Sequence, residues 1–406
     1  MQIKSAYENP PRQYPWDVLR PHPTTIGVLW PCYGSGHVIY GLHCRRYTHR
    51  RLATLTLKTL DKESTFFQRT PLVLDATVPL VHCWNVIPVN KNFIVSFEFE
   101  LPRYLGSPSP TQMRFGLRML ESSRCKGILA LTDFAFRHAR RMFERQGFGH
   151  LVHKMSVFRG AVPDPGPALD PATRIASQPS FRDKPLCAIL IGSELFRKGA
   201  VQAIRAFENL RAAGLDVRLT LIGDFEDCSY VWGNDLPDPK EWRARAAGHD
   251  WIRFQSSIPH ARVLEELRAH DICLYPSLDE SLGWLTVEAG MSGIPVVGNR
   301  ICAYPELVEH QRSGWLIDLP VDHDGRWAGV SLEGEAHRKA VAEADSRIVS
   351  GIEACIRHVY GKPESLAQWG CEARRAMLAM YGMEPASAHL QIIYDRALER
   401  EGAASA

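Results

Sequence analysis

The sequence predicts an α/β protein made of two Rossmann-like domains in tandem, followed by an amphipathic helix. Along most of the 406 residues, short apolar runs alternate with stretches of helical period, the pattern of a parallel sheet covered by helices. The segment 161–171, AVPDPGPALDP, contains four prolines and separates two such series, so it reads as an interdomain linker. We therefore place a first domain at 1–165, a second domain at 172–382 and the terminal helix in 383–406.

The composition is that of an ordinary folded protein, with 45% hydrophobic and 23% charged residues. A net charge of +3 is too small to predict a nucleic-acid partner. The ten cysteines are scattered without a C-x-x-C pair, and several, such as Cys187 and Cys273, lie in apolar runs, which predicts buried reduced thiols. Because the sequence has no apolar leader and no run of ~18 apolar residues, we expect a cytoplasmic protein, soluble or at the inner face of the membrane.

The first series begins with an irregular arm, since residues 1–23 carry five prolines and little periodicity. Buried strands are predicted at 26–30, 52–57, 72–74, 93–97, 127–131 and 155–158, and helices at 112–123 and 134–146. A basic run within this series is interpreted as one solvated helix face. Its members are His43, Arg45, Arg46, His49, Arg50 and Arg51. The functional alternative for this run is a peripheral contact with anionic lipid headgroups.

The second series predicts a second parallel sheet with its own helices. Strands are predicted at 186–191, 217–222, 251–254, 272–275 and 296–297, and helices at 200–213, 239–247, 261–270 and 284–291. Near the C-terminal end an apolar stripe recurs at helical spacing and predicts the terminal amphipathic helix. This stripe consists of Leu390, Ile393, Tyr394, Ala397 and Leu398.

The segment 275–318 carries the strongest functional signal, because a polar loop leaves a strand there and runs into a helix. Such a loop turns backbone N–H groups and the positive end of the helix dipole outward, which favours an anion such as phosphate. Gly283 allows the backbone to approach a ligand closely, and Glu288, one turn into the helix, is a good acceptor for two sugar hydroxyls. The alternative interpretation is that Glu280 and Glu288 are two solvated glutamates at a helix start.

This segment closely resembles the donor-site segment of the retaining GT-B glycosyltransferases of family four. That family pattern is a glutamate, seven residues, a second glutamate, an alanine and then G-x-P-V. It is matched by Glu280, Glu288, Ala289, Gly293, Ile294, Pro295 and Val296, and then by 305–308 and Gly314. The resemblance implies two Rossmann-like domains facing a cleft, with the helix in 383–406 crossing back onto the first domain.

The resemblance also implies roles for individual residues. Glu288 would hold the ribose of a nucleotide-diphosphate sugar and Glu280 the hydroxyls of the donor sugar. The backbone amides of Leu282, Gly283, Trp284 and Leu285 would bind the sugar and the diphosphate.

The end of the first strand of the second domain supplies two cations, Arg197 and Lys198. Adjacent cations there would stabilise a diphosphate leaving group as the glycosidic bond breaks. The family pattern has an arginine where Ser193 stands, so we expect Arg197 to supply that charge, as in lipopolysaccharide-core transferases that read G-S-x-x-x-R-K-G. A solvated Arg-Lys pair is the alternative, although the helix dipole disfavours cations at that end.

Two further elements are assigned to the donor site by their positions in the resemblance. Ile258 is the candidate for stacking on the nucleobase. The glycine loop with Gly34, Ser35 and Gly36 would face the donor across the cleft and touch the donor sugar or the acceptor. The alternative for this loop is a tight turn.

Candidate acceptor residues lie in the first domain, at His82, Glu98 and Glu100. On an extended chain Glu98 and Glu100 share one face, where they could bind an acceptor hydroxyl or act as a base. Many relatives have a histidine where Glu98 stands. The alternatives are an ion pair of these glutamates with Arg103 at the sheet rim, and a packed, hydrogen-bonded role for His82.

Residues 319–348 exceed the short connection usual in the family and are polar, so we interpret them as an insertion. Asp322 and Asp324 have the D-x-D form of some metal sites but are interpreted as a solvated loop. The resemblance implies no metal and no cofactor.

The function predicted overall is a retaining, metal-independent glycosyltransferase that moves a sugar from a nucleotide-diphosphate sugar to the hydroxyl of a glycan, glycolipid or small molecule. Front-face transfer, in which the leaving phosphate receives the acceptor proton, fits the resemblance better than double displacement. Two alternatives stay open. One is a non-catalytic scaffold of the same fold, motivated by Ser193 and Glu98, and the other is a different GT-B enzyme such as a sugar-nucleotide epimerase or a phosphorylase.

Overall fold

The computed structural model describes residues 24–29, 47–52, 54–55, 71–104, 108–165, 181, 184–225, 229–232 and 237–402. The predicted arm at 1–23, the glycine loop with Gly34, Ser35 and Gly36, and most of the linker lie outside these ranges. Within them the chain forms two α/β domains, each built on a six-stranded sheet. The domain limits at 165 and 172 stay predictions, because residues 166–180 are not described.

The first domain is a parallel sheet with helices packed on it. Its strands are β1 (Thr24–Leu29), β2 (Tyr47–Arg51), β5 (Val81–Trp84), β6 (Phe93–Phe97), β7 (Cys125–Ala130) and β8 (Met155–Val157), in the order β2-β1-β5-β6-β7-β8. A small antiparallel pair joins β3 (Thr54–Leu55) to β4 (Leu72–Val73). The helices are α1 (Pro110–Glu121) and α2 (Asp133–Arg145), and a 3-10 turn spans Gly149–Lys154. The predicted helices are therefore confirmed to within a few residues, whereas β5 was not predicted as a strand.

The basic run is not a helix where the structure describes it. Residues 47–51 form β2, the edge strand that pairs in parallel with β1, so the helix-face prediction is wrong there. Tyr47 is buried, whereas Arg50 points to the rim and pairs with Asp75. An edge strand accommodates arginines because their charged ends reach water. Of the strand predicted at 52–57, the structure describes residues 52, 54 and 55, and Thr54–Leu55 forms a strand.

The second domain repeats the architecture. Its strands are β9 (Leu186–Glu194), β10 (Val217–Asp224), β11 (Ile252–Gln255), β12 (Ile272–Tyr275), β13 (Val296–Asn299) and β14 (Gly314–Ile317), in the order β11-β10-β9-β12-β13-β14 and all parallel. Its helices are α3 (Ala200–Ala212), α4 (Ser229–Trp232), α5 (Pro239–Ala247), α6 (His260–Arg268), α7 (Trp284–Met291) and α8 (Tyr304–Leu307). The near-continuous apolar runs of β9 and β12 are covered on both faces, which is typical of central parallel strands.

The predicted insertion at 319–348 is only partly a loop. A buried turn that includes Trp327 leads through a 3-10 turn (Ala328–Ser331) into the long helix α9 (Gly334–Gly361). This helix packs against α3, where Gln202 and Arg205 both bond to Asp345. The segment reads as polar because only one face of α9 is buried.

The C-terminal helices connect the two domains. Helix α10 (Glu364–Tyr381) packs against α7, and α11 (Met383–Gly402) follows it. Leu390, Tyr394 and Ala397 of α11 are buried together with Ile26 and Ile94 of the first sheet. The terminal helix thus crosses back onto the first domain, as the resemblance implies.

Two predictions from composition concern the thiols and the membrane. None of the seven cysteines in the described ranges is in a disulfide, and five of them, including Cys273, are buried as predicted. Cys187, which was also predicted to be buried, is only half-buried, as is Cys371. Of the helices in the described ranges, none combines the length and the apolar character needed to span a bilayer.

Candidate active site

The candidate site lies where the strand order of the second sheet reverses. The chain runs from β9 outward through β10 and β11, and then returns to place β12 on the other side of β9. The carboxyl ends of β9 and β12 therefore flank a switch point, which is where ligands bind in open parallel sheets. The loop after β9 carries Arg197 and Lys198, and the loop after β12 carries Glu280.

The structure brings these three predicted residues into one buried cluster. The Glu280 carboxylate accepts hydrogen bonds from Lys198 Nζ, from the Tyr275 hydroxyl at 3.0 Å and from Arg197 Nη1 at 3.3 Å. The side chains of Glu280 and Lys198 are only 14% and 6% exposed. Lys198 Nζ also lies 4.5 Å from the centre of the Tyr275 ring. The cluster therefore holds a carboxylate and two cations in fixed positions.

Burial and charge act in opposite directions on the ionisation of this cluster. Burial alone would raise the pKa of the Glu280 carboxyl, but the charges of Lys198 and Arg197, with hydrogen bonds from Lys198 and Tyr275, hold that pKa below its usual range. Burial lowers the pKa of Lys198, and Glu280 opposes this effect. Glu280 is thus an ionised carboxylate whose Oε2 accepts hydrogen bonds from both cations and from Tyr275, which fixes the cations beside it.

Two helices begin at this point with a glycine in the left-handed region. Gly199 precedes α3 at φ 85° and Gly283 precedes α7 at φ 78°, and neither helix has a side-chain cap. A Cβ at Gly199 would lie 2.6 Å from Pro276, so the close approach of the two loops requires glycine. Uncapped first-turn amides are ready donors for an anionic ligand, as predicted for the α7 end.

A cavity of about 640 Å³, the donor-side cavity, opens beside the cluster. Its lining includes Ser193, Arg197, Lys198, Trp284, Leu285 and Glu288 among the predicted donor residues, and also Ile191, Gly192, Tyr275, His260, Val263, Leu264, Val162 and Pro163. Gly283 precedes this wall as the cap of α7, and the side chain of Leu282 is buried in the core. Ile258 packs half-buried against that core and is absent from the lining, so the apolar wall comes from Val263 and Leu264 instead.

His260 is a site residue that the sequence analysis missed. It is the first residue of α6, and its Nε2 lies 2.6 Å from Glu288 Oε1. The hydrogen bond to Glu288 raises the pKa of His260. The only signal in the sequence was a histidine directly after Pro259 at a helix start.

A second cavity of about 520 Å³, the acceptor-side cavity, lies between the two domains. The first domain supplies Glu98, Phe99, Glu100, Arg103, Tyr104 and Phe134, and the second supplies Arg197, Asp279, Glu280, Ser281 and Arg326. Arg197 lines both cavities, so the cluster lies at their junction.

The predicted acceptor residues lie in two different environments, since two of them line the cavity and the third is buried in the core. Glu98 and Glu100 both line the acceptor-side cavity, where Glu98 pairs with Arg103, as the alternative interpretation proposed, while the Glu100 side chain is 55% exposed. His82 is fully buried, and its ring nitrogens lie 2.8 Å from the Ser96 and Tyr394 hydroxyls. The prediction that His82 contacts an acceptor is therefore corrected, because helix α11 covers it and its polar atoms are engaged.

The Asp324 side chain contacts helix α2 of the first domain from across the cleft. The prediction that it lies in a solvated loop is therefore wrong. Asp322 Oδ1 accepts the backbone N–H groups of Asp324 at 2.8 Å and Arg326 at 2.9 Å, which shapes the turn. Asp324 is buried against α2, where it bonds to Arg141 and lies 3.2 Å from His138 Nδ1. We call residues 322–327 the cross-cleft turn.

The cross-cleft turn also places a cation in the acceptor-side cavity. The guanidinium of Arg326 lies 5.0 Å from the centre of the Phe99 ring, and its Nη2 lies 3.4 Å from Asp279 Oδ1. A second contact caps α2 from across the cleft, since Glu306 accepts the N–H groups of Asp133 at 2.8 Å and Phe134 at 2.6 Å. Residues of the second domain thus complete a cavity whose other wall belongs to the first.

Among the residues that the structure describes, no group of three or more His, Cys, Asp or Glu side chains is arranged to hold a metal ion. The two aspartates of the D-x-D pattern are committed to the turn and to α2.

Comparison with known proteins relates this geometry to a family. Residues 172–326 match the profile of the family described as "Glycosyl transferases group 1". The D-inositol 3-phosphate glycosyltransferase of Corynebacterium kroppenstedtii is 31% identical over 206 residues, which are 50% of this chain and 39% of the relative. The chain thus spans about two-fifths of the length of that curated relative.

Solved structures extend the likeness to the whole fold. A glycosyltransferase from Rickettsia africae has a TM-score of 0.58 at 16% identity and covers 93% of this chain and 99% of its own. Anabaena Alr3699/HepE, solved in complex with UDP and glucose, has a TM-score of 0.56 at 13% identity, with coverages of 92% and 100%. Such identities establish the fold alone. They show that this chain has the GT-B fold, and its residues 172–326 are similar to the glycosyl transferases group 1 family.

Proposed function

We propose that this chain is a retaining, metal-independent glycosyltransferase that moves a sugar from a nucleotide-diphosphate sugar to an acceptor hydroxyl. The observation that carries the proposal is the cluster of Arg197, Lys198 and Glu280 at the junction of two cavities. One cavity would hold the donor and the other the acceptor, so that the bond to be broken lies beside the two cations.

The similar proteins support this class of reaction. The relative named above is a D-inositol 3-phosphate glycosyltransferase, and HepE was solved with UDP and glucose. The donor-side cavity offers what a nucleotide-diphosphate sugar requires. Arg197, Lys198 and the α7 amides face the diphosphate, Glu288 faces the ribose, and Val263 and Leu264 form an apolar wall.

The chemistry follows from where charge develops. As the bond between the anomeric carbon and the phosphate oxygen breaks, negative charge grows on the diphosphate, and Lys198, Arg197 and the helix amides stabilise it. Loss of one such contact typically costs about 3 kcal/mol, some hundredfold in turnover.

Retention is proposed to proceed by front-face transfer. Oε2 of Glu280 accepts hydrogen bonds from Lys198, Arg197 and Tyr275, which weakens the carboxylate as a covalent nucleophile and makes it a good support for the cations. The acceptor oxygen would bond to the anomeric carbon on the face that the diphosphate leaves, and the acceptor proton would pass to the departing phosphate oxygen. Atoms and charge balance without a metal or a cofactor.

The acceptor is proposed to be a glycan, a glycolipid or a small molecule with free hydroxyls. The acceptor-side cavity combines aromatic rings, such as Phe99 and Tyr104, with arginine–carboxylate pairs that can donate to and accept from hydroxyls. A cytoplasmic location and contact with the inner face of the membrane belong to the same proposal.

Thermal unfolding against a panel of UDP, GDP, TDP and ADP sugars, in EDTA, tests the donor site. We expect one nucleotide to raise the melting temperature of the wild type but not of Glu288→Ala or Lys198→Ala. Product NMR with that donor and a sugar panel then reports the anomeric configuration, and an inverted product would contradict retention.

Two rivals are separated by the same samples. No shift with any donor would favour a non-catalytic scaffold, a reading that Ser193 motivates because no arginine stands there. A new nucleotide sugar formed without any acceptor would indicate an epimerase.

A further inference from the structure

We propose that His260 is a positioning residue of the donor site, which holds the Glu288 carboxylate in the orientation that receives the ribose hydroxyls. This inference rests on the proposed function and deepens it. It concerns a residue outside the glutamate, lysine and glycine motifs through which the sequence resembles its family.

The geometry joins two helices at the cavity wall. His260 begins α6 and Glu288 lies in α7, and these helices pack against each other. Nε2 of His260 lies 2.6 Å from Oε1 of Glu288, a short distance for a charge-assisted hydrogen bond. Both side chains line the donor-side cavity, and the Glu288 side chain is only 13% exposed.

His260 and the ligand would bond to different oxygens of the Glu288 carboxylate. A carboxylate has about four lone-pair directions, and one oxygen here is held by the histidine. The other oxygen can accept hydrogen bonds from a pair of vicinal hydroxyls. The Glu288 side chain has three rotatable bonds. Without His260 the ligand itself would have to order them, and this entropic cost would weaken binding.

The surroundings of the pair match a nucleoside. His260, Val263 and Leu264 occupy positions i, i+3 and i+4 of α6, so one helix face lines the cavity. Val263 and Leu264 present an apolar surface beside the polar His260–Glu288 pair. A nucleoside has the same two parts side by side, with an apolar base face and a ribose that carries hydroxyls.

The test compares ribose with 2′-deoxyribose. Calorimetric titration of the wild type with UDP, GDP, ADP and CDP identifies the preferred ribonucleoside diphosphate, and the same titration follows with its 2′-deoxy counterpart. The proteins are the wild type, His260→Ala, His260→Gln and Glu288→Gln. The matched control is His249→Gln, because His249 forms a similar pair with Glu208 at 3.1 Å, outside both cavities.

We expect His260→Ala to bind the ribonucleotide about tenfold more weakly, equivalent to about 1.4 kcal/mol. Its affinity for the deoxynucleotide should change less than twofold, so that discrimination between the two sugars collapses as it does in Glu288→Gln. His260→Gln should retain part of the discrimination, since its amide can donate to Glu288. The control should resemble the wild type.

Three results would overturn the inference. These are equal losses for ribo- and deoxynucleotides in His260→Ala, no loss for either, or a His260→Gln variant that is folded, as judged by its melting temperature, yet no better than His260→Ala. A wild type that binds no nucleoside diphosphate would instead refute the proposed function itself.

Discussion

The two walls of the cleft are built differently. The wall from the second domain centres on Lys198 and Glu280, which lie almost entirely out of water and hold each other through charge and hydrogen bonds. The wall from the first domain carries Glu98 and Arg103, whose side chains are 25% and 37% exposed. Ion pairs in contact with water contribute little to stability, whereas a buried charge that loses its partner is costly. We therefore expect the second-domain wall, called the donor wall after its proposed role, to be more rigid than the first-domain wall, called the acceptor wall.

The two walls also differ in whether their contacts are local or come from distant parts of the chain. Arg197, Lys198 and Glu280 lie in two loops at neighbouring strand ends, and these loops are short stretches of sequence with a recognisable pattern. The acceptor-side cavity needs Arg326 and the cross-cleft turn to reach it from the other domain. A wall completed by a distant segment depends on how the domains pack.

The largest effect is expected from Lys198→Ala. Removing this ammonium leaves Glu280 buried with less compensating charge, and breaking a buried pair costs about 3–5 kcal/mol. We also expect sugar transfer to fall about a hundredfold. Urea unfolding and a transfer assay measure the two effects, with the exposed Lys339→Ala as control.

Glu98→Gln, in the other wall, should lower the free energy of unfolding by less than about 1 kcal/mol. Equal losses of unfolding free energy in Lys198→Ala and Glu98→Gln would contradict the difference proposed between the two walls.

A smaller loss is expected from Asp324→Ala in the cross-cleft turn. The change deprives Arg141 and His138 of their buried acceptor and should reduce unfolding stability by about 1–2 kcal/mol. The domains should also separate more easily, which small-angle scattering would report as a larger radius of gyration. Asp318→Ala is the control, since Asp318 is largely exposed beside Arg300. An unchanged scattering profile would show that the turn does not hold the domains together.

Tyr394→Phe tests whether His82 is structural. Loss of the Tyr394 hydroxyl removes one buried hydrogen bond to the His82 ring and should cost about 1 kcal/mol of unfolding free energy. Acceptor KM and donor affinity should stay at wild-type values, because neither His82 nor Tyr394 lines either cavity. A raised acceptor KM at unchanged stability would restore His82 to the site.

The smallest effect concerns how the stability of the protein depends on pH, which should differ for His138 of the first domain and Glu280 of the second. Burial lowers the pKa of His138 below 6.5, although Asp324 opposes this, so the unfolded state binds more protons just below that pH. Stability should thus be lost as pH falls from about 6.5 through the lowered pKa, because the buried imidazole must then carry a proton. The pKa of Glu280 is held below 4.5, so its contribution is fully present above that value and lost only as pH falls further.

Melting temperatures at pH 7.5, 6.5 and 5.5 measure this difference. Between pH 6.5 and 5.5 the wild type should lose more stability than His138→Gln, which cannot titrate at that position. Comparing the two proteins subtracts the other histidines that titrate in this range. Parallel curves for the two proteins would show that protonation of the buried His138 imidazole does not change the stability.

Much of the donor wall could be predicted from sequence because its signals are local. The Arg-Lys dipeptide and Glu280 lie within about five residues of a strand end, and Glu288 follows in the helix that continues from the same loop. Parallel strands bring those ends together. Even there, His260 was missed, since its bond to Glu288 joins two helices 28 positions apart. The acceptor wall offered no such signals. Glu98 could be assigned to it only by position, and His82 was assigned wrongly because nothing local shows that α11 covers it.

By itself, the sequence indicated two parallel sheets, most of their strands and several of their helices, and it singled out the segment 275–318, because periodicity and short motifs are properties of neighbouring residues. Tertiary structure alone decided that Asp324 meets Arg141, 183 positions away, and that Arg326 faces Phe99. It also decided that residues 47–51 form an edge strand, since the strand is specified by pairing with β1 rather than by its own pattern. Contacts of this kind depend on which surfaces remain to be buried once each domain has formed, and that outcome is encoded in shape and charge over the whole chain.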